Sequence, residues 1–221
     1  MKLRIDLKIF AFVILFFITK QIEIYALIML FAIIHELAHL LAGVLLKFKP
    51  DSLELIPMGL TVSFKINFDD FNIKVKKANM LEFKKIIIAL AGPLANIIIA
   101  LIFYYFQIFT YLNTPIVYAN LLIAFFNLLP IYPLDGGRVL KIILHIKFGK
   151  WQAKKYINDI SIIICIILTA VASIAILYVN NIAILLIIAY LWAIVIKEQS
   201  IYKKELNIYK VIKKYKDSRD Y

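Results

Sequence analysis

The sequence predicts an all-α membrane protein with six transmembrane helices and a small β-hairpin at the cytoplasmic surface of the membrane. Of its 221 residues, 63% are apolar and only 18% are charged, and the mean hydropathy is +0.88. Soluble domains are roughly half apolar and about a quarter charged, so this composition is typical of a protein embedded in lipid. The apolar residues also form long runs between charged residues, prolines and asparagines.

Dividing the chain at those residues gives six apolar segments, which we predict to be the membrane spans. They are Ile9 to Thr19, Tyr25 to Leu46, Ile86 to Phe106, Ile116 to Leu129, Ile160 to Val179 and Ile182 to Ile196. The first segment follows a basic N-terminal sequence but has no small-residue cleavage site after it. We therefore expect a retained anchor rather than a removed signal peptide.

The distribution of basic residues predicts the orientation of the chain. With a cytoplasmic N-terminus, six crossings leave all but Lys20 of the 26 lysines and arginines on the cytoplasmic side, as the positive-inside bias requires. Both termini are then cytoplasmic. The net charge of +12 is explained by lysines and arginines that face anionic lipid on the cytoplasmic side of the membrane. We therefore expect no nucleic-acid partner. One domain is expected over residues 1–200, followed by a short basic tail over residues 201–221.

The loop after the second span has the period-two alternation of β-strands at Leu53 to Leu55 and again at Thr61 to Ile66. Gly59 is suited to the turn between them. Two interpretations of this hairpin are open. It covers the helix ends at the membrane surface, or its edge pairs with an extended peptide through main-chain hydrogen bonds.

The second span contains His35-Glu36-Leu37-Ala38-His39, in which two histidines four residues apart project from one helix face. This spacing is typical of zinc sites in which the intervening glutamate acts on water. Burying Glu36 mid-span costs about 2.5 to 3.5 kcal/mol even on mild scales, and a zinc ion would offset that cost. The predicted role of Glu36 is to accept a proton from water and pass it to a leaving amine. The alternative is a chance match, with these side chains hydrogen-bonded in a structural core.

A catalytic zinc ion usually has a third protein ligand, and Asp135 is the best candidate. It follows Pro130 and Pro133 at the end of the fourth span, where the prolines interrupt the helix. The alternative is an ordinary turn at the membrane surface. His145 lies further along in a basic segment, and we expect it at the interface between membrane and water rather than at the metal. The single cysteine, Cys165, excludes an intramolecular disulfide and a cysteine zinc site.

Two asparagines interrupt the apolar runs, Asn96 in the third span and Asn127 in the fourth. Each could crosslink helices, or could steady the backbone of a bound substrate. Gly92 and Pro93, just before Asn96, are expected to allow close helix packing.

Taken together, HELAH, AGPLAN and NLLPIYPLDGGR resemble the motifs of the site-2 protease family of intramembrane zinc metalloproteases. The second proline before LDGGR is similar to the branch that contains stage IV sporulation protein FB. The resemblance implies hydrolysis of peptide bonds in membrane-spanning or membrane-tethered proteins, including a transcription-factor precursor in sporulation. It also implies that the protein lies in a bacterial cell membrane and that membrane inhibitor proteins regulate it. It also implies a role for each motif residue: zinc ligands at His35, His39 and Asp135, a catalytic acid/base at Glu36, and substrate contacts at Asn127, Pro130 and Pro133.

The chain has room for neither the PDZ domain nor the CBS domain that family members often carry, so we expect neither. The main rival from another class is a membrane metal or ion transporter that uses the same His35, His39 and Asp135 cluster without turnover. A non-catalytic scaffold is a third interpretation. Changing Glu36 to Gln separates the first two, because a protease would keep its metal and lose cleavage.

Overall fold

The computed structural model describes residues 2–5, 10, 13–14, 17–18, 20, 22–56, 59–65, 75–109, 111–179 and 183–217. The chain divides into two compact units, Met1–Leu129 and Pro130–Tyr221. The first predicted span, Ile9 to Thr19, lies largely outside the described residues.

A three-stranded sheet belongs to the first unit. Its strands are β1 (Lys2–Ile5), β2 (Lys49–Ile56) and β3 (Gly59–Lys65), in the order β1-β2-β3. The antiparallel pairing of β2 with β3 confirms the predicted strand pair, although Ile66 lies outside the described residues. Strand β1 was not predicted. It is four residues long and pairs in parallel with a partner about fifty residues away, which no local pattern reveals.

Three helices complete this unit: α1 (Ile22–Leu45), α2 (Val75–Phe106) and α3 (Asn113–Leu128). They match the second, third and fourth predicted spans. Helix α2 begins well before the predicted start at Ile86, because its first turns are built from lysine, alanine, leucine and glutamate, which favour helix although they are too polar for lipid. The charged residues before Ile86 therefore mark where the apolar run begins, whereas the helix itself begins earlier, at Val75.

The three helices pack around a small apolar core formed by Phe31, Ile116, Ala119 and Ile123. The sheet contacts the end of α1, where Gly43 lies against the ring of Phe64. A side chain at Gly43 would occupy the space of that ring. Over residues 22–65 and 75–128, as far as the structure describes them, the first unit is therefore a bundle of α1, α2 and α3 with the sheet at one end of α1.

The second unit consists of α4 (Asp135–Phe148), α5 (Lys150–Val179) and α6 (Ala183–Asp217). Helix α4 lies between the fourth and fifth predicted spans, where the sequence analysis predicts no helix. Arg138, Lys141 and His145 recur at helical spacing on one side of this amphipathic helix, a pattern that a search for long apolar runs does not detect. Helix α6 continues past Ile196, so much of the basic tail belongs to the last helix.

Contacts at both ends of the paired helices hold α5 against α6. Thr169 accepts a hydrogen bond at 2.9 Å from the indole Nε1 of Trp192. Near the other end, Lys154 forms an ion pair with Glu205, and the rings of Trp151 and Tyr209 lie 4.4 Å apart.

Three described helical stretches are long and apolar enough to cross a membrane: Ile22–Leu45, Met80–Phe106 and Lys150–Ile176. Helix α3 is apolar but shorter. Large apolar side chains such as Leu41, Ile98 and Ile167 lie exposed on these helices, as lipid-facing residues do. The six crossings expected from the sequence stay a prediction.

Candidate metal centre

Helix α1 brings His35 and His39 together on one face, one turn apart. Both imidazoles are buried, with 2% and 4% of their surface exposed. Their Nε2 atoms lie 3.1 Å apart and their rings are nearly perpendicular, at 85°. The helical spacing predicted from the sequence therefore produces a close pair of ring nitrogens.

The other ring nitrogen of each histidine has a partner on α2. His39 Nδ1 lies 2.6 Å from the main-chain carbonyl oxygen of Ile88, and His35 Nδ1 lies 2.7 Å from the Oδ1 atom of Asn96. A carbonyl oxygen only accepts, so Nδ1 of each ring must donate its hydrogen. In the neutral imidazole this leaves a lone pair on Nε2, and both lone pairs face the same small space.

A metal ion held by both histidines would be bound through these two Nε2 atoms. Two nitrogens bound to a tetrahedral zinc ion at about 2.05 Å each lie about 3.3 Å apart. The observed separation of 3.1 Å is close to that value. Hydrogen bonding through the second ring nitrogen is also what metal-bound histidines generally show.

Gly92 of α2 leaves the space that an ion would need. A Cβ atom at this position would lie 2.6 Å from His35 Nε2 and would also contact the ring of His39. Sequence reasoning assigned Gly92 to helix packing, but the absence of its side chain keeps the space beside the histidine pair open. The residues present thus fit a metal ion.

Asp135 opens helix α4 and is buried, with 4% of its surface exposed. The positive end of the helix dipole favours a carboxylate there, and Arg138 Nη1 lies 3.5 Å from its Oδ1 atom. His35 and His39 of the first unit and Asp135 of the second each offer one ligand atom of a kind that binds metal. His145 lies in the last turn of α4.

The residues before Asp135 are fixed within the second unit. The main-chain N–H of Tyr132 donates to Ser161 Oγ at 3.0 Å, and Ile131 is fully buried. Gly137 packs directly on the backbone of Ile131 and Tyr132, where a Cβ would lie 2.5 Å from Tyr132 N. The segment with the two prolines is therefore a packed connection that sets where α4 begins.

Glu36 follows His35 in the same turn of α1 and is half-buried. A carboxylate in this position is adjacent in sequence to the histidine pair, at the boundary between protein interior and accessible surface. Its role as a catalytic acid/base stays a prediction.

The four residues expected to contact substrate lie in different surroundings. Asn127 is half-buried and donates to the carbonyl of Ile123 at 3.0 Å, and Pro130 and Pro133 are half-buried in the segment before α4. Asn96 is fully buried and contacts His35. None of these arrangements tests a substrate contact.

Sequence reasoning missed two residues of the histidine surroundings. Asn120, a polar residue in the apolar run of α3, accepts a hydrogen bond from Asn96 at 2.8 Å. Its polarity within a span was a signal that could have singled it out. The Ile88 carbonyl gave no signal, because a main-chain atom leaves no mark in the sequence.

Comparison with known proteins identifies relatives of this chain. It is 28% identical over 144 residues to a zinc metalloprotease of Methanocaldococcus jannaschii, covering 62% of this chain and 39% of the relative. It is 28% identical over 162 residues to stage IV sporulation protein FB of Bacillus subtilis, covering 68% of this chain and 50% of that protein. The chain thus spans half or less of the length of these relatives.

The fold is similar to that of a site-2 protease from Methanocaldococcus jannaschii, with a TM-score of 0.65, 22% identity and coverage of 89% of both chains. A family model described as Peptidase family M50 matches residues 23–115 and 109–168. These matches cover more than half of the sequence, including both histidines and Asp135. The chain belongs to peptidase family M50.

Proposed function

We propose that this chain is an intramembrane zinc metalloendopeptidase that hydrolyses peptide bonds in membrane-spanning or membrane-tethered proteins. The observation that carries the proposal is the histidine pair, whose Nε2 atoms lie 3.1 Å apart while both Nδ1 atoms face oxygen acceptors. Such a pair is arranged to bind a cation through both Nε2 atoms. Membership of a peptidase family gives the chemistry for which the cation would be used.

In this proposal, His35, His39 and Asp135 hold the zinc. Two neutral imidazoles and one carboxylate leave a net charge of about +1 on the ion, and leave a fourth position open. When bound, zinc polarises a carbonyl oxygen and lowers the pKa of water to about 7. Arg138 contacts one oxygen of Asp135 and would leave the other for the ion.

Glu36 would act as the catalytic acid/base. Its carboxylate takes a proton from the attacking water and returns it to the nitrogen of the departing amine, so one residue serves both halves of the hydrolysis. Asn127 has a second amide hydrogen beyond the one donated to Ile123. That hydrogen, with the shape set by Pro130 and Pro133, would position the substrate backbone.

The substrate must unwind before it can be cut. Peptide groups in a transmembrane helix are hydrogen-bonded within the helix, so water cannot reach their carbonyl carbon until the helix opens. We propose six crossings with both termini in the cytoplasm of a bacterial cell, since this orientation would leave all but Lys20 of the 26 lysines and arginines on the cytoplasmic side. We also propose that the chain cleaves a transcription-factor precursor in a regulated manner and that membrane inhibitor proteins control this cleavage.

The test uses the purified full-length chain in detergent and in proteoliposomes. Zinc content is measured by elemental analysis, and cleavage is measured on a panel of reporters that each carry a single transmembrane segment. We expect about one zinc per chain and a chelator-sensitive cut. Glu36→Gln should retain zinc and lose cleavage by about 10²-fold or more, because the proton acceptor is gone.

The rival function as a metal transporter predicts a different result. A transporter with Glu36→Gln would still move zinc into sealed liposomes loaded with a fluorescent indicator. A wild-type protein that binds zinc, cuts no reporter and moves zinc across the bilayer would overturn the proposal in favour of transport.

A further inference from the structure

We propose that Asn96 is a positioning residue for the metal centre: together with Asn120 and the Ile116 carbonyl, it fixes His35 in the tautomer and orientation that bind metal. This inference rests on the zinc site of the proposed function. It assigns Asn96 a role different from the substrate contact expected from the sequence, which stays a prediction.

The three side chains form a continuous hydrogen-bonded chain across three helices. His35 Nδ1 of α1 lies 2.7 Å from Asn96 Oδ1 of α2, and Asn96 Nδ2 donates to Asn120 Oδ1 of α3 at 2.8 Å. Asn120 Nδ2 donates to the main-chain carbonyl oxygen of Ile116 at 2.9 Å. Both asparagines are fully buried, with no exposed surface, so water does not compete for these bonds.

The direction of this chain is set by its last member. The orientation of an asparagine amide is ambiguous when its neighbours can both donate and accept. The Ile116 carbonyl can only accept, so Asn120 must turn its amide nitrogen towards it and its oxygen towards Asn96. Asn96 must then direct its nitrogen to Asn120 and its oxygen to His35.

His35 therefore carries its hydrogen on Nδ1. If the amide of Asn96 were reversed, its nitrogen would face Nδ1, which would have to accept, and the ring hydrogen would move to Nε2. A protonated Nε2 cannot bind a metal. The Ile116 carbonyl on α3 thus fixes the donor and acceptor roles of Asn120 and Asn96. As a result, His35 keeps its lone pair on the Nε2 atom that faces His39.

The second histidine reaches the same state by a shorter route. His39 Nδ1 contacts the Ile88 carbonyl directly, so the main chain of α2 fixes its tautomer and no side chain is needed. Only His35 depends on an intermediate side chain. Of the two rings, it alone has a tautomer that a substitution outside the ligands can change.

A purely structural role for Asn96, crosslinking α1, α2 and α3, is the alternative that the experiment must exclude. Two variants separate the two roles. Asn96→Leu has a similar volume and removes both the acceptor and the donor. Asn96→Asp keeps an acceptor oxygen towards His35 but places a second acceptor against Asn120 Oδ1, so it damages the crosslink and preserves the tautomer.

The measurement is zinc affinity of the purified full-length protein, by titration of the metal-free form against a chromogenic chelator, together with thermal stability. Thr169→Val is the matched control, because Thr169 also crosslinks two helices through a hydrogen bond, to Trp192, and both residues belong to the second compact unit. We expect Asn96→Leu to bind zinc about 10- to 100-fold more weakly. Asn96→Asp should melt at a lower temperature yet bind zinc within about threefold of wild type, since carboxylates support zinc-bound histidines well. Thr169→Val should leave zinc affinity unchanged.

Wild-type zinc affinity in Asn96→Leu, or equal weakening by Asn96→Asp and Asn96→Leu, would overturn the inference. Should Asn96→Leu not yield folded protein, Asn120→Leu decides. It frees the Asn96 amide to reverse and should weaken zinc binding about threefold to tenfold, whereas unchanged affinity contradicts the inference. A wild-type chain that binds no zinc would instead overturn the proposed function itself.

Discussion

Gly92 lies directly against His35, and a Cβ atom on Gly92 would be 2.6 Å from the Nε2 atom. This distance is shorter than a van der Waals contact, and the added Cβ would occupy the space beside the two Nε2 atoms. The close approach of α1 and α2 at this point leaves no room for even a methyl group. We therefore expect metal binding to require glycine at this position, although Gly92 contributes no ligand atom.

Gly92→Ala should therefore abolish metal binding without unfolding the protein. Alanine is favoured over glycine in a helix by about 1 kcal/mol, so a gain in helix propensity accompanies the loss of the site. We expect zinc affinity to fall at least about 100-fold, because a ligand must turn away from a site whose geometry is demanding. Zinc titration and thermal melting measure the two effects.

Leu94→Ala is the control, since Leu94 is exposed on the same helix and its truncation leaves the histidines untouched. Full zinc binding by Gly92→Ala would mean that the ion lies elsewhere. A collapse of both stability and binding would mean that Gly92 serves packing, as the sequence alone indicated.

The histidine pair, the strand pair and the break before Asp135 could be predicted because each follows from spacing within a few residues. Two histidines at i and i+4 share a helix face wherever the helix lies. Alternation over Leu53 to Leu55 and Thr61 to Ile66 fixes strands through side-chain direction alone. The prolines at 130 and 133 interrupt a helix by local sterics.

The surroundings of the histidines could not be predicted in the same way. Asn120 meets Asn96 across two helices, and Ile88 contributes a main-chain oxygen that any residue would supply. These contacts depend on how α1, α2 and α3 pack, which is a property of the assembled bundle. Helix α4 was missed for another reason, because its amphipathic pattern is invisible to a search for uniformly apolar runs.

Removing the metal should destabilise the wild-type protein markedly. A cation bound to both Nε2 atoms, which lie 3.1 Å apart in a buried space, would stabilise the folded state, because the unfolded chain has no such site. A ligand present at about 1,000 times its dissociation constant stabilises the folded state by about 4 kcal/mol. We expect a chelator to lower the melting temperature by several degrees, measured in detergent by tryptophan fluorescence.

His39→Ala is the control for that experiment. It removes one lone pair and most of the metal affinity, so its melting temperature should not respond to the chelator. An equal response of the variant and the wild type would show that the chelator acts on something other than this site.

Gly137→Ala should disturb the segment that leads into Asp135. The added Cβ would lie 2.5 Å from Tyr132 N and against the Ile131 carbonyl group, and main-chain atoms cannot move aside as a flexible side chain can. Forced contacts of this kind cost about 1 to 3 kcal/mol. We expect a lower melting temperature together with weaker zinc binding, because Asp135 begins the helix that must shift.

Ile146→Ala provides the comparison, since Ile146 is exposed on the same helix. It should leave zinc affinity unchanged. Weakened binding in Ile146→Ala as well would indicate that any change in α4 disturbs the carboxylate, and that the contact at Gly137 has no special importance.

Ser161 and Ser173 offer a matched test of how the segment before Asp135 is held. Both hydroxyl groups donate to the carbonyl four residues earlier on α5, at 2.7 and 2.8 Å. Ser161 also accepts the main-chain N–H of Tyr132 at 3.0 Å. Ser161→Ala therefore leaves the Tyr132 N–H without that acceptor, at a cost of about 1 to 3 kcal/mol, whereas Ser173→Ala removes only a bond within its own helix.

Ser161→Ala should lower both thermal stability and the rate of reporter cleavage, and Ser173→Ala should change neither by a measurable amount. The cleavage rate falls because Tyr132 lies three residues before Asp135, so a looser main chain there widens the range of carboxylate positions. Ser161→Thr restores the hydroxyl and should recover much of the loss. Equal effects of the two alanine substitutions would show that the Tyr132 contact does not position Asp135.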